Sequence, residues 1–363
     1  MAAAAITLVA PATAASAGDQ GGGGDVHVAA AKLSGPRQLN SYTHGKLVVA
    51  ENDSGEVSSI DARTGKVRTL LSKLPFPQGV DYDDGRLFVA LGEAPPDAPP
   101  PPAGSTTAPG ATASSLVVAK PGGKIVKRYD LLAYELKHNP DGQKQFADDG
   151  KTPLDALSNP FAVHVQEHRI LVADAGANDV LSIDRHSGRI HTFFVPPRVS
   201  PKEVPACAGA NDAQGVQGCD PVPTGVTQGK HGLIYVSTLG AEVPGAGRVY
   251  VLNKHGKVLR VIKKLTGPTG IAVDSRGAIN VSEVLEGAPE GDGPPPPNFD
   301  ASAVGQIVRI APNGKRTYAQ VTMPTGLEFR GGKLYASAWS VAIFLNMPDA
   351  GQVVTVPRGM FTS

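Results

Sequence analysis

The chain has 363 residues, 34 basic and 33 acidic, for a formal net charge of +1. That balance excludes the basic footprint of a nucleic-acid binder or of a protein held on an anionic membrane by charge. After the N-terminus no apolar run reaches the roughly 18 residues that a membrane span needs, and 43 Gly with 32 Pro announce a fold rich in turns.

Taken in chain order, residues 1–17 read as a secretory signal peptide: an apolar stretch over 2–10, then the cleavage pattern Ala15-Ser16-Ala17. The basic residues that usually open such a peptide are missing, so the natural start is expected upstream of Met1; a disordered Ala-rich tail is the alternative. Residues 18–25 form a Gly-rich linker, 26–357 the folded domain and 358–363 a tail.

The domain repeats one phrase six times. A Pro-containing turn leads into a short apolar strand, then a polar hairpin turn, then a second strand. The clear copies are Pro77-Gln78-Gly79-Val80, Pro223-Thr224-Gly225-Val226, Pro268-Thr269-Gly270-Ile271 and Pro324-Thr325-Gly326-Leu327. Pro36-Arg37-Gln38-Leu39 and Pro160-Phe161-Ala162-Val163 are looser. Units that cannot each bury an apolar face must stack, and β-rich units do so by closing a ring.

The third copy predicts strands at 162–165, 170–173, 180–184 and 190–195, and the fourth at 225–227, 233–237, 248–252 and 258–262. In the fifth they fall at 270–273, 278–282, 305–310 and 317–321, with hairpin turns at Arg276-Gly277 and Asn313-Gly314. The sixth offers three, at 326–329, 333–337 and 352–356, while residues 26–33 have no blade of their own. The expected fold is therefore all-β: a six-bladed propeller of four-stranded antiparallel blades, closed by the N-terminal strand in the last blade.

Long inserts at 92–114, 131–158, 197–222, 239–247, 285–304 and 341–351 all fall at one end of the blades, and the other end carries tight hairpins. Loops clustered on one face of a rigid scaffold usually hold the function. Two inserts contain proline runs, at 99–102 and 294–297, expected to be extended, mobile spacers. One insert holds both cysteines, Cys207 and Cys219, expected to pair if the chain is exported and to stay free thiols otherwise.

Two aligned positions carry candidate chemistry. The residue leaving each second strand is Glu51, Leu91, Asp174, Thr238, Glu283 or Ala338. Glu51, Asp174 and Glu283, on alternate blades, are candidate ligands for Ca²⁺ or Mg²⁺ on the long-loop face; the competing reading is that each closes its own turn. The second position, two residues past the Gly of the phrase, reads Asn40, Asp81, His164, Thr227, Ala272 and Glu328. These should face the central channel, as a ligand site with His164 as candidate base or as the lining of a water-filled tunnel. The string His164-Val165-Gln166-Glu167-His168 matches a zinc-protease motif, but that chemistry needs a helix and the repeat puts a strand and a turn there.

Gly270-Ile271-Ala272-Val273-Asp274 with Asn280-Val281-Ser282-Glu283 resembles the NHL-type and gluconolactonase-like propeller repeat. Asn159-Pro160-Phe161, Leu171 to Asn178, Pro223 to Val226 and Tyr235-Val236-Ser237 resemble the ScyD/ScyE family of secreted propellers. That resemblance implies an exported six-bladed fold and carries over no catalytic residues. Lactonase-like propellers use axial Glu/Asn/Asp calcium ligands, which Glu51 and Asp174 resemble only by place in the repeat. The expected function is thus a secreted, monomeric binding or scaffold protein, taking a small molecule or an extracellular protein on the long-loop face at the channel mouth. The alternative is a metal-dependent hydrolase or lyase of the lactonase type.

Overall fold

The computed structural model describes residues 26–93, 107–289, 296 and 298–363. The leader, the Gly-rich linker and the first proline run lie outside the described residues, as does nearly all of the second. Within them the fold is the expected six-bladed propeller, each blade a four-stranded antiparallel sheet. The inner strands are Pro36–Ser41, Pro77–Asp83, Pro160–Val165, Pro223–Gln228, Pro268–Val273 and Leu327–Arg330. Each packs against the inner strand of the next blade, and the sixth against the first. Among the described residues no helix is long and apolar enough to cross a membrane.

The ring closes where the sixth repeat runs short. His27–Leu33 is the outermost strand of blade six, with His27 opposite Thr355 and Leu33 opposite Gly351. Chain ends are thereby tied by a ladder of backbone hydrogen bonds. The expected tail is also pinned: Tyr318 and Thr362 exchange backbone hydrogen bonds of 2.8 and 3.0 Å at the edge of blade five.

Alternation along the strands sends apolar side chains into the seams between blades. Six clusters result, one per seam; Val80, Leu87 and Val48 fill the first, Val163, Leu116 and Ile183 the second. Each fully buried Val, Leu or Ile contributes about 1.5–3 kcal/mol.

The repeated phrase is an inter-blade stitch. The Thr224, Thr269 and Thr325 hydroxyls donate to the carbonyls of Pro268, Pro324 and Pro36 in the next blade, at 2.7, 3.1 and 3.0 Å. Ser237, Ser282 and Ser337, from the second strands, donate to Thr269, Thr325 and Arg37 at 3.0, 2.9 and 2.6 Å. The intervening glycine follows from this closeness: a Cβ on Gly270 would stand 2.1 Å from the Thr325 oxygen, and one on Gly326 2.3 Å from that of Arg37.

Two inserts hold more structure than loops. Residues 131–158 begin with a helix, Leu131–His138, capped when Asp130 Oδ1 accepts the Ala133 N–H (3.0 Å) and ended by Asn139 in the left-handed region. A reading built on the strand repeat treats everything between strands as loop and passes over this Asp cap and its run of helix formers. The Cys207–Cys219 disulfide is formed, its Cα atoms 4.9 Å apart, in a small apolar cluster with Val199 and Ala246.

Candidate functional site

Asn40, Asp81, His164, Thr227, Ala272 and Glu328 line one axial cavity of about 320 Å³. Their strand neighbours Leu39, Val80, Val163, Val226, Ile271 and Leu327 are buried in the seams, so the two-residue period turns these six toward the axis. The expected channel residues are therefore brought together.

The position of the cavity differs from expectation. Its wall includes Tyr82, Asp83, Val165, Gln228, Val273 and Phe329, at or near the hairpin ends of the inner strands. The wide part of the channel thus lies at the tight-hairpin end. Toward the long loops, Gln38, Ala162, Gly225, Gly270 and Gly326 leave only about 20 Å³. Gln38 occupies the glycine place of the phrase in blade one. Its Oε1 accepts the N–H groups of Val80 and Val163, both at 3.0 Å, and its Nε2 donates to the Val163 carbonyl at 2.9 Å. This side chain clamps blades one, two and three and narrows the axis.

Asp81 bridges two blades: Oδ1 accepts the Tyr82 N–H (2.8 Å) and Oδ2 the Val165 N–H (2.7 Å). His164 Nδ1 stands 3.9 Å from Asp81 Oδ2, with 22% and 14% of the two side chains exposed to the cavity. Burial pushes the Asp81 carboxyl up to about 7, against its two N–H donors and with repulsion from Glu328 and Asp83. Burial brings His164 down to about 4, so the imidazole is neutral at pH 7. Glu328 is also raised, chiefly by burial, while it accepts the Ser41 hydroxyl. Asp83 is held by Arg185 at 2.7 Å, and Arg330 is turned onto the Tyr42 and Lys46 carbonyls at 2.9 and 2.6 Å. Asn40 donates to the Val80 carbonyl at 3.1 Å. Chemically this is a pocket of acceptors with one carboxyl poised to gain or lose a proton near neutrality.

The other candidate set is not gathered. Glu51 accepts the Ser34 N–H at 2.9 Å; Asp174 accepts the Ser158 hydroxyl and the Asn159 and Ala177 N–H groups at 2.7, 2.6 and 3.2 Å; Glu283 accepts the Thr266 N–H at 2.7 Å. Each carboxylate closes the turn that precedes the inner strand of its own blade. Among the described residues no three His, Cys, Asp or Glu side chains form a group that could hold a metal ion. Glu51, Asp174 and Glu283 therefore do not fit a shared Ca²⁺ or Mg²⁺. Of the zinc-like string, His164 is on a strand, while Glu167 and His168 are exposed in a turn.

Sequence reasoning missed Gln38, whose signal was a polar residue in a glycine place, and the Tyr82 and Phe329 walls, which carry no motif.

No protein-family model matches the chain, and no curated protein matches it. Solved structures do. A gluconolactonase from Xanthomonas campestris aligns with a TM-score of 0.53 at 10% identity, over 92% of this chain and 89% of that one. A streptogramin B lyase aligns at 0.52 and 14% identity, over 93% and 97%. A Bacteroides thetaiotaomicron protein of unknown function aligns at 0.52 and 11%, over 92% and 73%. At such identities the likeness is one of fold: the chain is a six-bladed propeller of the architecture seen in lactonase and lyase structures.

Proposed function

We propose that this protein is an exported binding propeller of the ScyD/ScyE kind, and that its axial cavity, at the hairpin end, takes a small polar ligand. The observation that carries this reading is the convergence of Asp81, His164 and Glu328 from three blades into one cavity. Its size is at the lower end for small-molecule sites. Acceptors dominate the polar lining, so the favoured ligand presents several hydrogen-bond donors or a positive charge, with Tyr82, Val273 and Phe329 covering an apolar edge. Export is supported by the Ala15-Ser16-Ala17 pattern and the disulfide. The test is a panel of small amines, polyols and amino sugars, read by thermal shift and calorimetry on the wild type and on Asp81→Asn with Glu328→Gln. Binding lost in the double variant supports the site; binding that survives it puts the ligand elsewhere.

One observation favours an enzymatic second reading. Asp81 and His164 are a carboxyl and a neutral imidazole, close together and poised for proton transfer. The fold is shared with a gluconolactonase and a lyase. Ring opening of sugar lactones, followed with a pH indicator with and without added calcium or magnesium, separates the two. Turnover abolished by His164→Ala replaces the binding reading with a catalytic one.

A further inference from the structure

The rim of the axial cavity holds a relay of side-chain hydrogen bonds that serves neither the closing of the ring nor the Asp81–His164 pair. Gln166 lies in the hairpin after the inner strand of blade three, and each of its four polar atoms is used. Its N–H donates to the Arg169 carbonyl and its carbonyl accepts from Arg185 Nη1, both at 2.8 Å. Its Oε1 accepts from Arg169 Nε at 2.5 Å, and its Nε2 donates to Gln228 Oε1 at 2.6 Å. Gln228 ends the inner strand of blade four and lines the cavity. Both arginines are braced in turn: Arg169 lies over the Phe193 ring, 4.6 Å from its centroid, and Arg185 pairs with Asp83 of blade two at 2.7 Å.

The relay has a direction. A carboxamide can be turned end for end unless a partner forbids it. Arginine only donates, so the oxygen of Gln166 must face Arg169. Its NH2 then faces Gln228, and Gln228 must answer with its oxygen. The end left over is the Gln228 NH2, with two N–H donors. One can serve the His164 ring, with which Gln228 interacts, and one remains for a ligand. Blade four stands two places round the ring from Asp81 on blade two and from Glu328 on blade six. The cavity therefore has two carboxyls on one side of its axis and an oriented donor on the other.

We propose that Arg169 and Gln166 orient Gln228 as the cavity's hydrogen-bond donor. The site then selects a ligand with an ammonium group at one end and a hydroxyl or carbonyl oxygen at the other, such as a small amino alcohol or amino sugar. The proposal rests on the axial reading above and adds a polarity to it: Asp81 and Glu328 take the cation, and Gln228 takes the oxygen. Arg169 and Gln166 touch no ligand and are positioning residues. An amine of like size without the oxygen gains nothing from Gln228.

Calorimetry with D-glucosamine and cyclohexylamine, six-membered rings carrying an amine with and without hydroxyls, tests this on the full chain. Gln166→Leu and Gln228→Leu should each weaken glucosamine by about three- to tenfold, the worth of one neutral hydrogen bond, and leave cyclohexylamine unchanged. Arg169→Leu should do the same, and Arg169→Lys, which keeps a donor for Gln166, should restore most of the loss. If neither amine binds the wild type, the axial reading falls and this proposal with it. If both bind, are both lost in the Asp81→Asn, Glu328→Gln double variant, and are unmoved by Gln166→Leu and Gln228→Leu, the axial site stands and the donor role is overturned. Equal weakening of both amines in those variants also overturns it, marking the relay as a structural strut. Binding of cyclohexylamine without glucosamine does so too.

Discussion

Two halves of the ring meet the same closing problem with different chemistry. Blades four to six use the regular phrase: a threonine and a second-strand serine per blade, each bonded to the next blade's backbone, and a glycine that lets the backbones approach. Blades one to three replace it with one long side chain, Gln38, reaching across two neighbours. The stitched half gives the cavity little chemistry at the aligned position, Thr227 and Ala272 with Glu328 as the exception, while the clamped half gives Asn40, Asp81 and His164. Regular repeats build the frame; the departures from regularity hold the candidate site.

The largest break in this contrast is steric. Gly270→Val should cost about 3 kcal/mol or more, because its Cβ meets the backbone of blade six. The matching change in the other half, Ala162→Gly, should cost about 1–2 kcal/mol, from chain entropy and the loss of one buried methyl. Chemical denaturation measures both. Next is the clamp. Gln38→Ala strands the Val80 and Val163 N–H groups and should cost about 2–3 kcal/mol, whereas Ser282→Ala, one stitch among several, should cost about 1–2 kcal/mol. Equal losses would erase the distinction between clamp and stitch. Removing the disulfide with Cys207→Ser and Cys219→Ser should cost about 3 kcal/mol in the chain-entropy model and leave the axial cavity unaltered.

The smallest effect is in pH. Asp81 has a folded value near 7, above its unfolded one, so the folded state holds that proton more tightly and loses stability as pH rises from about 4 to about 7. His164, lowered to about 4, acts oppositely, adding stability as pH rises from about 4 to about 6.5. The two nearly offset in the wild type. Asp81→Asn should uncover the histidine term, giving a gain over wild type at pH 8 that is absent at pH 4. An unchanged difference across that range would contradict the placement of Asp81.

The blade count, the strands and the closing N-terminal segment were legible because turn chemistry and two-residue alternation are local. The axial ring at Asn40, Asp81, His164, Thr227 and Glu328 was legible because polar residues interrupted apolar strands at one aligned place. Which end of the axis widens was not, since it depends on how closely neighbouring backbones approach at Gly225, Gly270 and Gly326. The role of Glu51, Asp174 and Glu283 was equally hidden: a carboxylate closing a turn and one holding an ion look alike until its partners are known. The helix Leu131–His138 escaped because a repeat-based reading looks only for strands.

The most direct test is crystallographic: soak crystals with small amines and polyols and find where they sit. Density is expected between Asp81, His164 and Glu328 at the hairpin mouth, lost in the Asp81→Asn, Glu328→Gln double variant. Ligands seated only among the long inserts, with the axial cavity holding water alone, would contradict it.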